Sequence, residues 1–212
     1  MVLLLMGVCI AALGNSSSPP KPAPVAAAKS PTTAPTAAAA TPTASAQPAP
    51  PKAPSFGDGF HQVGVDIQPG LYRTRRPSSG CYWERMRDFA GGLDSISGND
   101  NTDGPAVVEI LPADKGFKSI RCGTWTQDVS AITADRQHMG EGTFIVGTDV
   151  EPGTYRSTGG AGCYWEREAS FTHGGVNSIL ANDNVDGPTV VAIAATEKGF
   201  KSVRCGTWSK AG

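Results

Sequence analysis

The sequence predicts an all-β protein: two tandem small antiparallel β-sandwich or barrel domains, each with one disulfide, after a disordered spacer. Three observations carry this. About two thirds of the chain is an internal duplication, short strand-like runs alternate with Gly, Pro, Asn and Asp clusters, and each copy holds two cysteines.

The duplication is the strongest signal. The first copy reads VGVDIQPGLYR from Val63, GCYWER from Gly80, GGLDSI from Gly91, NDNTDGP from Asn99 and KGFKSIRCGTW from Lys115. The second reads VGTDVEPGTYR from Val146, GCYWER from Gly162, GGVNSI from Gly174, NDNVDGP from Asn182 and KGFKSVRCGTW from Lys198. More than half of the paired positions are identical, at an offset of 83 that slips to 82 around Cys-Tyr-Trp. The repeats are placed at 56–127 and 141–212, joined by a polar linker over 128–140.

Within the first copy, strands are expected over 60–65, 71–75, 81–86, 93–97, 106–111 and 117–125. Pro69-Gly70 and Pro152-Gly153 suit the centre of a type II turn, where Pro presets φ and Gly accepts a positive φ. Neither copy shows a sustained helical period. A β-domain of this size has a small core, and a disulfide offsets that weakness.

Residues 1–14 are almost wholly apolar, too few to span a bilayer, which takes about 20 residues. They suit a secretory signal segment, with small Ala12 and Gly14 before a cut at Asn15, although no Lys or Arg precedes the run. Cys9 follows Met-Gly-Val, a poor context for lipid attachment, so it reads as an ordinary apolar residue. Residues 15–55 are built from Pro, Ala, Ser and Thr, with Val25 the one branched aliphatic residue, and cannot bury enough to offset their ordering entropy. They read as a stalk or linker. The expected location is extracellular or at the cell surface.

The order of these motifs resembles repeats in uncharacterised exported proteins and lipoproteins of actinobacteria and their phages. Those repeats follow a signal and an Ala/Pro/Thr-rich spacer. The resemblance covers both copies; it implies an exported architecture and supplies no functional site.

The four repeat cysteines allow three pairings, and the duplication selects the one in which each copy keeps its own pair: Cys81–Cys122 and Cys163–Cys205. The Asn-Asp-Asn-x-Asp-Gly segments match the opening of a calcium loop. The late bidentate Glu is replaced by Ile110 and Ile193, so they are expected to be turns, and no metal or cofactor is expected. On a strand, Cys81 and Trp83 share the core face, leaving Tyr82 and Glu84, and likewise Tyr164 and Glu166, on an exposed face as a possible ligand surface. Lys115, Lys118 and Arg121 read as solvated.

No nucleophile elbow or phosphate loop is present, and His61, His138 and His173 occupy unmatched positions, so no enzyme is expected. A net charge of −1, without a basic cluster beyond Arg73, Arg75 and Arg76, argues against nucleic acid. The expected function is a non-catalytic exported binding or structural module, bivalent for a cell-envelope polymer; an inhibitor or exclusion factor acting on an envelope protein is the alternative.

Overall fold

The computed structural model describes residues 52–76 and 79–212; the expected signal segment and nearly all of the spacer lie outside them. Repeat 1 contributes β1 (Ser55–Phe56), β2 (Gly59–Gln62), β3 (Gly70–Thr74), β4 (Cys81–Met86), β5 (Ile96–Thr102), β6 (Val107–Ile110), β7 (Gly116–Ile120) and β8 (Trp125–Thr126). Repeat 2 matches it strand for strand with β9 (His138–Met139), β10 (Gly142–Ile145), β11 (Gly153–Ser157), β12 (Cys163–Glu168), β13 (Ile179–Val185), β14 (Val190–Ile193), β15 (Gly199–Val203) and β16 (Trp208–Lys210). Strand β9 begins inside the stretch expected to be linker.

Each repeat is a sandwich of two antiparallel four-stranded sheets. In repeat 1 the orders are β1-β8-β3-β6 and β2-β7-β4-β5; in repeat 2 the equivalents are β9-β16-β11-β14 and β10-β15-β12-β13. The alternation of Cys81-Tyr-Trp-Glu-Arg-Met sends Cys81 and Trp83 into the space between the sheets. There they meet Phe117, Trp125, Tyr72 and Ile110. The matching core of repeat 2 holds Cys163, Phe200, Trp208, Tyr155 and Ile193. Trp125 donates its indole N–H to Ser119 Oγ at 3.1 Å, and Trp208 to Ser202 Oγ at 2.9 Å, so each buried ring keeps a polar partner. The disulfides are Cys81–Cys122 and Cys163–Cys205, as the duplication requires.

Three local expectations need correction. The Asn-Asp-Asn segments are not turns: Asn99–Asn101 lie inside β5, where Tyr82 faces Asn101, Trp83 faces Asp100 and Glu84 faces Asn99. Pairing against β4 overrides the weak strand preference of Asn and Asp. Only the end of each motif turns, and there Asp103 accepts the Gly80 amide at 2.6 Å and Asp186 the Gly162 amide at 2.8 Å. Second, the hydrogen-bonded turn lies at 64–66, where the Gly64 amide donates to Ile67 O at 2.7 Å, while Gly70 opens β3. Third, the strand expected over 93–97 is split, with a 3-10 turn at Leu93–Ser95 before β5.

Candidate functional site: an acidic pocket at the junction of the repeats

The repeats do not hang as separate beads. Arg73, on β3, is fully buried and grips Asp149 of repeat 2 with both terminal nitrogens, at 3.0 and 2.9 Å. This is the bidentate geometry that suits guanidinium to carboxylate. Asp149 also accepts the Ile145 amide at 2.8 Å, so the carboxylate is held from its own repeat. Two backbone bonds complete the seam: the Thr143 amide donates to Pro105 O at 2.7 Å, and the Glu109 amide to Phe171 O at 2.9 Å.

Beside this seam lies a cavity of about 150 Å3, lined by Asp100 and Asn99 of repeat 1 and by Glu166, Glu168, His173 and Ser178 of repeat 2. Strand alternation builds it. Glu166 and Glu168 follow Tyr164 on the outward face of β12, and Lys201 lies opposite Glu166 on β15. Asp100 comes from the edge strand β5 of the other repeat. The Lys201 ammonium bonds the Asp100 carboxylate and lies 3.6 Å from Glu166. His173 occupies the loop after β12, in the left-handed backbone region at φ 45°. Its ring packs edge-on against Trp83 of repeat 1, with centroids 5.0 Å apart. Its Nε2 lies 3.6 Å from a Glu168 oxygen, and neither carboxyl oxygen of Glu168 accepts a hydrogen bond from a described residue.

The electrostatics follow from burial. Burial alone would lower Lys201, but Asp100, Glu166 and Glu168 hold its ammonium above the ordinary lysine value. Burial, reinforced by Glu166 and Asp100, pushes Glu168 well above the carboxylate range and favours its neutral form. Burial and the nearby Lys201 push His173 down to about 4. Burial also pushes Asp100 up, against the pull of Lys201.

Glu166, Glu168 and His173 bring their ligand-type atoms within 4.8 Å of one another, a donor set able to hold a divalent cation. Lys201 already supplies a positive charge to two of the surrounding carboxylates, so the pocket carries its own counter-ion.

The residues expected to form a ligand surface divide. Tyr82 and Tyr164 are partly open, whereas Glu84 and Glu166 are buried, contrary to the expected exposure of both. Alternation does place each acid opposite the core, but that outer face is covered. Tyr82 donates to Glu84 at 2.5 Å, with Lys118 at 3.5 Å from the same carboxylate, and repeat 1 closes over Glu166. Burial, then the bond to Glu84, raises the Tyr82 hydroxyl to about 12. Tyr164 also reaches about 12, mainly through burial, and accepts a hydrogen bond from Asn182 at 3.0 Å. Lys118 is partly solvated, as expected, but its counterpart Lys201 is buried. His173 and Glu168 have no match in the first copy, so the duplication does not point to them. That mismatch, with Met86 in place of Glu168 and one residue fewer in the following loop, is the signal that marks them.

The fold and junction define a class: a tandem β-sandwich module, disulfide-stapled. The chain belongs to the Rv1352-like extracellular domain family, whose model matches it twice, over residues 53–126 and 136–209. It is thus an exported or cell-surface protein carrying two copies of an extracellular domain. It is similar to the uncharacterised proteins Rv1352 of Mycobacterium tuberculosis and Mb1387 of Mycobacterium bovis. Each is 32% identical over 82 residues, which cover 32% of this chain and 67% of the relative. No solved structure matches the chain. Among the described residues, no helix is long and apolar enough to cross a membrane.

Proposed function

We propose that the protein is a non-catalytic binding module that engages a repeating cell-envelope polymer through two like surfaces held at a fixed spacing. The observation that carries this reading is the placement of Tyr82 opposite Asn101 and of Tyr164 opposite Asn184, with the side chains of Asn99 and Asn182 hydrogen-bonded to the two tyrosine hydroxyls, at matching positions of two sandwiches locked by a buried ion pair. A partly open tyrosine flanked by exposed amides offers a flat ring and hydrogen-bonding groups, the combination a sugar polymer uses. Two such surfaces on one rigid body gain avidity on a repeating ligand. Three of the acids that the copies share are engaged structurally: Asp103 and Asp186 hold the glycine amides before β4 and β12, and Asp149 holds Arg73.

Sedimentation of the protein with insoluble cell-wall material tests this. The wild type is expected to co-sediment, each of Tyr82→Ala and Tyr164→Ala to weaken retention by about a hundredfold through lost avidity, and the double variant to lose it. Failure of the wild type to bind, or single variants equal to the wild type, would overturn the proposal, and indifference to cell wall would turn attention to a protein target.

A further inference from the structure

The junction between the repeats is one-directional, and this leaves two complementary faces uncovered. A twofold-like contact would pair Arg73 with Asp149 and also Arg156 with Asp66. Only the first pair forms; Asp66 and Arg156 are exposed. The same holds for the second ion pair, since Lys201 meets Asp100 while Lys118 pairs with Glu84 of its own repeat and Asp183 is exposed. Repeat 1 therefore offers a socket to repeat 2, and repeat 2 carries the same socket, empty, at its far side. Repeat 1 carries the matching plug.

Exposure at equivalent positions traces these two faces. Phe171 is 5% exposed in the seam, and its counterpart Phe89 is 53% exposed. Val107 is 1% exposed and Val190 53%. Thr143 is buried and the residue in its place, Phe60, is 51% exposed. Three of the large apolar side chains that the protein exposes thus stand where the junction, repeated once more, would bury them. Single exposed apolar residues are ordinary, but a set that maps onto one interface is not.

The charges and shapes match as well. Most ionic positions of the junction keep their residue type at the equivalent places: Arg156 and Asp183 on one uncovered face, Asp66 and Lys118 on the other, with the buried Glu84 paired to Lys118; Glu168 and His173 alone have no such counterpart. Gly104 and Pro105 approach Glu141 and Gly142 so closely that a Cβ at Gly104 would meet Glu141 O at 1.9 Å, and Gly187, Pro188 and Gly59 preserve that approach. At Gly98 a Cβ would meet Thr172 O at 2.5 Å. Its counterpart is Ala181, but the loop that would face it is one residue shorter, with Ala90 in place of Thr172-His173. The bulkier socket faces the smaller plug.

We infer that the protein binds a second copy of itself head to tail, the uncovered face around Arg156, Asp183 and Val190 of one molecule receiving the face around Asp66, Lys118 and Phe89 of the next. Such a heterologous contact continues as a ring or an open row. Tyr164 remains partly open although its repeat is docked within the chain, so the tyrosine surfaces stay available along the row.

The full mature chain should show reversible, concentration-dependent association in sedimentation velocity, with species beyond the dimer, weakened by salt because the contacts are charged. Arg156→Glu and Asp66→Arg each disable one face, and each alone should raise the apparent Kd by about thirtyfold or more. Mixed together they retain one working plug and one working socket, so the mixture should form one-to-one dimers and nothing larger. That result also shows that both variants are folded. A wild type that stays monomeric at its highest soluble concentration, a single variant that associates like the wild type, or a mixture that stays monomeric would overturn the inference.

Discussion

The two repeats are the same sandwich in different company. Arg73 is buried and Arg156 is exposed, Lys201 is buried and Lys118 is partly solvated, and Trp83 is sealed by His173 while Trp165 stays partly open. In each pair the residue type, strand and register are shared. The difference lies in what stands next to it: these charges are interior because the neighbouring repeat covers them, whereas Asp114 and Glu197 are buried with an arginine of their own repeat. One chemical divergence, Glu168 and His173 against Met86 and a shorter loop, falls in the pocket between the repeats.

The comparison can be broken most sharply at the arginines. Arg73→Ala leaves Asp149 buried without its cation and is expected to cost about 3–5 kcal/mol in denaturant unfolding, as removal of one partner of a buried pair does. Arg156→Ala on the equivalent strand should stay within about 0.5 kcal/mol, measured at dilution. Equal costs would mean that the junction contributes nothing to stability.

A somewhat smaller effect concerns His173, which repeat 1 lacks. Its folded value of about 4 lies below the ordinary 6.5. The folded state therefore binds fewer protons than the unfolded state between those values. The contribution is complete above pH 6.5 and fades as pH falls through 4, by about 3 kcal/mol in all. His173→Gln should flatten the acid side of the stability profile by that amount. The charges facing the ring, Glu166, Glu168, Lys201 and Arg85, remain in that variant, so an unchanged profile would remove His173 as its cause.

The smallest expected effect runs the other way. Glu168 is raised by burial, so its contribution to stability is present below the ordinary carboxyl value and is lost as pH rises through the higher folded value. Glu168→Met, which installs the residue found at Met86, should raise stability near pH 8 by about 1–3 kcal/mol and change little near pH 4. A loss at pH 8 would show that the carboxylate has a partner worth more than its burial costs.

Much of the fold was legible. The cysteine pairing, the two sandwiches and most strands follow from the duplication and from alternation, as in Cys81-Tyr-Trp-Glu-Arg-Met. Asn99–Asn101 misled because their turn chemistry is strong in isolation, while β4 supplies seven-residue β5 with a paired partner along its length. The junction was hidden for a different reason. Arg73, Asp149, Asp100 and Lys201 each have an identical counterpart, so comparing the copies gives no hint that one member of each pair is buried. Glu166 was assigned to the correct face, but nothing in the strand pattern says that another domain covers it.

The disulfides have a consequence for biogenesis. Each closes within its own repeat, over sequence separations of 41 and 42 residues. A chain threaded outward from its N-terminus delivers Cys81 and Cys122 before either cysteine of the second repeat, so the first native pair can close before the second repeat is present. Arg73 must still wait for Asp149, 76 residues further on. The first sandwich is thus stapled early and locked late, with an unmatched cation on its flank until its twin arrives.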